Sequence, residues 1–182
     1  MGQYYKPIIL DSKKKKVVSW MYTHDYRNGL KLMEHSWIGN DFMMTVENNL
    51  IPGGAWYKQP LVWAGDYADP EGKSKSNLHN RCEKITQIVP KLKKIGKRYK
   101  YIVNHDKKEF VNKDVVPTTT MIGDKHPWQI HPLSLLTCEG NGRGGGDYHK
   151  ESPLIGAWAR DVISIESKPP VDYKELFFNL TE

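Results

Sequence analysis

Short apolar or β-branched runs, each closed within a few residues by Gly, Pro, Asn or Asp, recur along the whole chain, and they set its fold class. Tyr4–Leu10 and Val17–Tyr22 flank the polar turn Asp11–Lys16, and Tyr99–Asn104 and Glu109–Asn112 flank His105–Lys108. Runs joined by turns this short cannot hold a crossover helix between them, so they pair antiparallel as hairpins. Further strands are predicted at Leu61–Ala64, Thr118–Ile122, Ile155–Ala159 and Val162–Glu166. Pro7 has no amide proton for a ladder and points to an edge position for the first strand. Pro127 and Pro132 argue against a central strand over Trp128–His131.

Helical spacing is confined to fewer places. Leu30–Ser36 reads as a helix, with Leu30, Met33 and Trp37 on one face. A second helix runs from a cap at Asn40 or Asp41 to about Asn49, with Phe42, Val46 and Leu50 as its buried stripe. Asn77–Ile85 is a third, shorter one. Met33, Met43 and Met44 are assigned to the core in preference to a promiscuous binding face. Leu133–Cys138 is apolar enough to be buried, and Tyr173–Leu180 is a terminal helix or strand that packs Leu176, Phe177 and Leu180. The chain is therefore read as one α+β domain spanning residues 1–182. Its sheet is mainly antiparallel, and its two or three helices lie mostly in the N-terminal half.

The most unusual composition lies in Leu135–His149, where five glycines surround Arg143 and precede Asp147 and Tyr148. Gly140, Gly142 and Gly145 formally fit G-x-G-x-x-G. The dinucleotide fingerprint requires a helix to open at the third glycine, and Asp147, Tyr148, His149 and then Pro153 do not supply one. A phosphate-binding P-loop needs a terminal Gly-Lys-Ser/Thr, which is absent. Two readings stay open. Successive backbone amides with the Arg143 fork form an anion-binding nest, with Arg143, Gly144, Gly145, Asp147 and Tyr148 as contact residues. Alternatively the segment is a tight turn in which Arg143 pairs with Asp147 or Glu139.

Charge supplies a second candidate surface. The net charge is +6, with an isoelectric point near 9.1, and it is unevenly spread. Seven Lys/Arg and no acid lie between Lys84 and His105, whereas five acids and two lysines follow from Asp161 onward. Such asymmetry suits an anionic partner, either nucleic acid or an acidic protein surface. Within Lys91–Ile102, the side chains of Lys91, Lys93, Lys94, Lys97, Arg98 and Lys100 suit phosphate contacts, and Tyr99 or Tyr101 offers a ring for stacking. Duplex DNA or an RNA-containing complex is compatible with this patch, and sequence-specific readout has no support.

Other chemistry is poorly supported. His126, His131, Cys138 and His149 match no compact metal-ligand spacing, so no metal or cofactor is predicted. Cys82 and Cys138 suit reduced thiols, and Cys138, in apolar surroundings, is expected to stay protonated. Nothing fixes two carboxylates at a catalytic separation, and the chain is not read as an enzyme. No apolar run approaches the roughly 18 residues of a membrane span, and the N-terminus is unlike a signal peptide, so a cytoplasmic protein without membrane partners is expected. Leu61–Ala68 and Gly156–Ile163 share Trp-Ala-x-Asp, read as two similar corners, each with a buried Trp and an Asp bonding nearby amides.

Five blocks carry a resemblance: MGQYYKPIIL at the start, DYRNGLKLMEHSW at Asp25–Trp37, WAGDYADP at Trp63–Pro70, HPLSLLTCEGNGRGGGDY at His131–Tyr148 and IGAWARDVIS at Ile155–Ser164. Together they resemble a widespread group of small bacterial and phage proteins and, within it, type II-A anti-CRISPR proteins of gut Firmicutes and their mobile elements. The resemblance implies a non-enzymatic inhibitor in the bacterial host cytoplasm. Such an inhibitor would bind the RNA-guided Cas endonuclease with its guide RNA, alone or together with duplex DNA, and block target cleavage. It assigns no functional residue of its own. The basic charge departs from inhibitors that imitate DNA with acidic surfaces, so contact with guide RNA, target DNA or an acidic face of the effector is expected instead. The alternative is a basic nucleic-acid-binding accessory protein with no nuclease target.

Overall fold

A computed structural model describes residues 2–73, 75–120, 126–141 and 147–181. Its elements in chain order are β1 (Tyr5–Leu10), β2 (Val17–Trp20), α1 (Asp41–Leu50), β3 (Gln59–Gly65), α2 (Leu78–Arg81), β4 (Tyr101–Asn104), β5 (Glu109–Asn112), β6 (Thr118–Thr119), β7 (Trp128–Gln129), α3 (Pro132–Thr137), β8 (Cys138–Glu139), β9 (Val162–Glu166) and β10 (Lys174–Glu175). The main sheet runs β10-β5-β4-β9-β3-β1-β2, with β8 also paired to β3, and β6 and β7 form a separate ribbon. All pairings are antiparallel except β3 with β8 and β5 with β10. The α+β class and the mainly antiparallel sheet follow the sequence reading.

β3 is the strand on which the sheet turns. Its whole length from Leu61 to Gly65 pairs with β1, while its other edge takes β9 at Gln59 and Pro60 and β8 at Trp63 and Ala64. Both faces of β1 and β3 are covered, which is why the two strands are buried almost throughout. The period-two alternation sends Tyr5, Ile9, Leu61 and Trp63 into the larger core. That core also holds Phe42, Val46 and Leu50 of α1 and Leu133, Leu135 and Leu136 of α3. Ile8, Leu10, Val62 and Ala64 face the other way, onto Leu78 and Cys82 of the α2 region. The first strand is therefore internal, not an edge. Pro7 is tolerated there because the β1–β2 ladder ends beside it: the Pro7 carbonyl accepts from Met21 N (3.2 Å), just past the last residue of β2.

Both predicted hairpins form, and local side-chain bonds close their turns. Asp11 Oδ1 accepts from the amides of Lys15 and Lys16, and Asn104 Oδ1 accepts from those of Asp106 and Lys107. α1 starts as expected, with Asn40 Oδ1 accepting from Phe42 N and Met43 N. Leu30–Ser36 does not form a helix. Only a single 3-10 turn at Leu32–Glu34 appears, since the Leu30 carbonyl that a helix would offer to Glu34 N accepts from Tyr5 N (2.9 Å) instead.

Ile155–Ala159 is likewise turn and not strand. Its amides are used elsewhere: Gly156 N and Trp158 N donate to the carbonyls of Leu135 (2.8 Å) and Leu136 (2.7 Å), closing the C-terminal end of α3. Gly156 has φ +71°, and a Cβ there would lie 2.7 Å from the Cys138 carbonyl oxygen. The Thr118–Ile122 strand is observed only as β6, and its last two residues lie outside the described ones. At the C-terminal end, Phe178 and Leu180 pack inward while Phe177 is exposed, the reverse of the expectation for Phe177.

Candidate nucleic-acid interface

The basic segment runs across the surface as a strap. Pro90 and the run of like charges deny it regular structure, and residues 88–100 belong to no strand or helix. Its path is held by donors on neighbouring elements that grip its backbone. Trp20 Nε1 donates to the Ile85 carbonyl (3.1 Å), Tyr26 OH to that of Pro90 (2.7 Å), and Asn48 of α1 to that of Lys93. A turn at Gly96, where Tyr99 N returns to the Gly96 carbonyl (2.9 Å), feeds the strap into β4.

The six predicted cations divide into three kinds. Lys91, Lys93, Lys94 and Lys97 are exposed and make no ion pair among the described residues. Arg98 lies over the Tyr99 ring, 4.8 Å from its centroid, and donates to Tyr99 OH (3.0 Å). Lys100 is bonded to Asp114 Oδ2 at 2.6 Å, which holds its ammonium above the usual lysine range. β4 begins at Tyr101, so Tyr99 lies before the strand instead of sharing a strand face with Tyr101. Tyr101 packs edge-on against Phe110.

Two clefts open beside the strap. One, of about 770 Å³, lies between the strap and the Asp25–Asn28 turn, with Trp37, Val89 and Leu92 on its walls. Asp25 and Asp41 line it along with Arg27 and Lys91, so its charge is mixed. The other, of about 700 Å³, lies between α1 and residues 94–100. Lys94, Lys97, Lys100 and Lys113 line it, and the two acids among its walls, Glu47 and Asp114, each have a lysine partner.

Glu47 and its partners were not anticipated. Glu47 is 2% exposed in the middle of α1, bonded through Oε1 to the buried Lys113 ammonium. His131 Nε2 lies 3.2 Å from the same oxygen. His131 Nδ1 accepts from Leu133 N at the start of α3, so the ring proton is on Nε2, facing Glu47. Burial pushes His131 down, keeping it neutral. Burial opposes ionisation of Glu47, but the His131 ring and the Lys113 ammonium outweigh it, and the carboxyl stays below the usual carboxylate range. A signal existed: Glu47 follows Val46 and lies one turn from Met43, at the margin of the apolar stripe.

The glycine segment is described only at its ends. Arg143, Gly144 and Gly145 lie outside the described residues. Asp147 and Tyr148, proposed as contact residues, are buried instead. Asn141 joins the two ends: its Nδ2 donates to the Tyr148 carbonyl and its Oδ1 accepts from Tyr148 N, both at 3.0 Å. Tyr148 OH donates to the Thr181 carbonyl (2.8 Å), and Asp147 Oδ1 lies 3.2 Å from Tyr5 OH. Gly140 is favoured by its backbone, since its φ of +93° lies in the left-handed region. Glu139 is taken by Arg160, whose guanidinium also reaches Glu71.

The Trp-Ala-x-Asp corners are alike in their tryptophans, Trp63 and Trp158, both fully buried. Asp66 accepts not from a neighbouring amide but from Tyr4 N, at the start of the chain, and Asp161 receives Asn104 Nδ2 and pairs with Lys14 and Lys107. Cys82 and Cys138 are free and buried, with burial pushing both thiols up to about 12. Among the described residues, no helix is long and apolar enough to cross a membrane. Comparison with protein-family models, with curated proteins and with solved structures finds no match.

Proposed function

We propose that the chain is a non-enzymatic inhibitor of a type II RNA-guided DNA endonuclease, docking through the basic strap onto nucleic acid that the effector carries. The observation that carries the nucleic-acid part is the set of four exposed cations, Lys91, Lys93, Lys94 and Lys97, with no acidic partner among the described residues. A lysine already paired gains little from a phosphate, whereas these four are free to displace counterions from one. The choice of an RNA-guided effector comes from the sequence resemblance, several of whose blocks supply internal joints of the fold. The glycine block includes the Asn141–Tyr148 clasp, and the Ile155–Ser164 block caps α3 and enters β9.

The test is target cleavage by guide-loaded effector with increasing amounts of the protein. Cleavage falls with the wild-type chain and is restored by Lys91→Glu, Lys93→Glu and Lys97→Glu together. Undiminished cutting at large molar excess across several orthologues would remove the inhibitor reading. If mobility shifts with free DNA or RNA persist in that case, the chain is a basic nucleic-acid-binding accessory protein. With four phosphate contacts, log affinity falls against log salt with a slope of roughly −3 to −4.

A further inference from the structure

The cleft between α1 and residues 94–100 combines features that a phosphate-tracking surface alone does not need. Its walls are apolar and aromatic, from Ile38, Met44, Ile95 and Tyr99, its rim carries Lys94 and Lys97, and an ionised carboxylate, Glu47, is set into its lining. We propose that this cleft takes one unpaired nucleotide of a bound strand, with its amino-bearing base directed to Glu47 and its phosphate held by Lys94 and Lys97. The inference rests on the nucleic-acid part of the proposed function.

The size fits, since 700 Å³ lies inside the range of about 300–1,000 Å³ common for small-ligand sites. The donor–acceptor chemistry narrows the class. An ionised carboxylate only accepts hydrogen bonds. Lys113 and His131 both approach Glu47 through Oε1, so a donor from the cleft would be taken by Oε2. The exocyclic amine of cytosine, adenine or guanine supplies that donor. Thymine and uracil present their N3–H between two carbonyl oxygens, which a carboxylate repels. Base pairing occupies these edges in a duplex, so the nucleotide must be unpaired.

Burying an ionised Glu beneath an open cleft has a desolvation cost that an apolar residue at position 47 would not carry. The Lys100–Asp114 pair lines the cleft without net charge and Lys113 is paired with Glu47, which leaves Lys94 and Lys97 as the cations for phosphate. The cleft on the other side of the strap does not fit, because Asp25 and Asp41 would face the same phosphate.

Fluorescence anisotropy on the full chain, with labelled oligo-dC, oligo-dT and abasic deoxyribose-phosphate strands of equal length, tests the assignment. Oligo-dC is expected to bind about tenfold tighter than oligo-dT, the effect of one hydrogen bond to a charged group. Glu47→Leu with Lys113→Met, which removes the carboxylate without leaving the Lys113 ammonium unpaired in the cleft, should bring oligo-dC down to the affinity of oligo-dT. Tyr99→Ala should weaken oligo-dC and oligo-dT alike, toward the affinity of the abasic strand. Equal affinity for all three strands, still abolished by Lys91→Glu with Lys93→Glu, overturns the cleft and leaves the strap reading intact. No binding to any strand removes both. Competition by dCMP at the affinity of the strand itself would overturn the strand-borne assignment in favour of a free nucleotide.

Discussion

His35 should make the fold acid-sensitive by an amount that can be isolated. Its ring is fully buried against Trp63 and Phe42. Nδ1 lies 3.1 Å from the Gly29 carbonyl, and Nε2 accepts from Trp63 Nε1 at 2.9 Å, so both nitrogens are committed to the neutral tautomer. Burial pushes its pKa down from 6.5 to about 4. Between those values the unfolded chain takes up a proton that the folded chain refuses. The stabilisation is therefore complete above pH 6.5, declines as pH falls, and is gone near pH 4. At about 1.4 kcal/mol per pH unit the interval amounts to about 3 kcal/mol. His35→Gln cannot titrate and retains an acceptor for Trp63. Urea unfolding followed by tryptophan fluorescence, run from neutral pH down toward pH 4 on both proteins, isolates the effect. His79, His105 and His131, all held low by burial, are common to both and cancel. The stability gap between wild type and variant should narrow by about 3 kcal/mol over the acid limb. Parallel curves would refute the assignment of a buried neutral ring.

Three further outcomes are expected. Gly156→Ala forces a side chain into the left-handed region and onto the Cys138 carbonyl, and should lower stability by about 1–3 kcal/mol, read as a drop in melting temperature. Lys113→Ala strands the Glu47 carboxylate and should cost about 3–5 kcal/mol in urea unfolding at neutral pH. That loss should shrink as acid neutralises Glu47, and Glu47→Leu with Lys113→Met should lie close to wild type. Lys97→Ala should reduce the salt slope of nucleic-acid binding by about one, while Lys100→Ala, already neutralised by Asp114, should change it much less.

The parts of this fold that were legible in the sequence are those whose determinants are local. Asn40 ahead of the Phe42–Val46–Leu50 stripe announces α1, and Asp11 and Asn104 mark turns whose bonds reach only a few residues. What could not be read depends on partners distant in sequence. Pro7 suggests an edge until Met21 is seen to occupy the end of the β1–β2 ladder. Ile155–Ala159 has strand composition, but its amides are claimed by the end of α3. Glu47 sits 66 residues from Lys113, and no local rule joins them. At the candidate interface the charge of the strap was visible from composition, while the loss of Lys100 to Asp114 was not. The Leu135–His149 glycines suggested a ligand cradle. At its described ends, however, the segment is closed by the Asn141 clasp, and its Asp147 and Tyr148 face inward.

The way the strap is gripped has an evolutionary consequence. Trp20, Tyr26 and Asn48 hold it by its main-chain carbonyls at Ile85, Pro90 and Lys93, and every residue type presents that same carbonyl. Replacing Lys91, Lys93, Lys94 or Lys97 thus leaves the path of the chain intact. Selection can rewrite the pattern of side chains on this surface without first having to rescue folding.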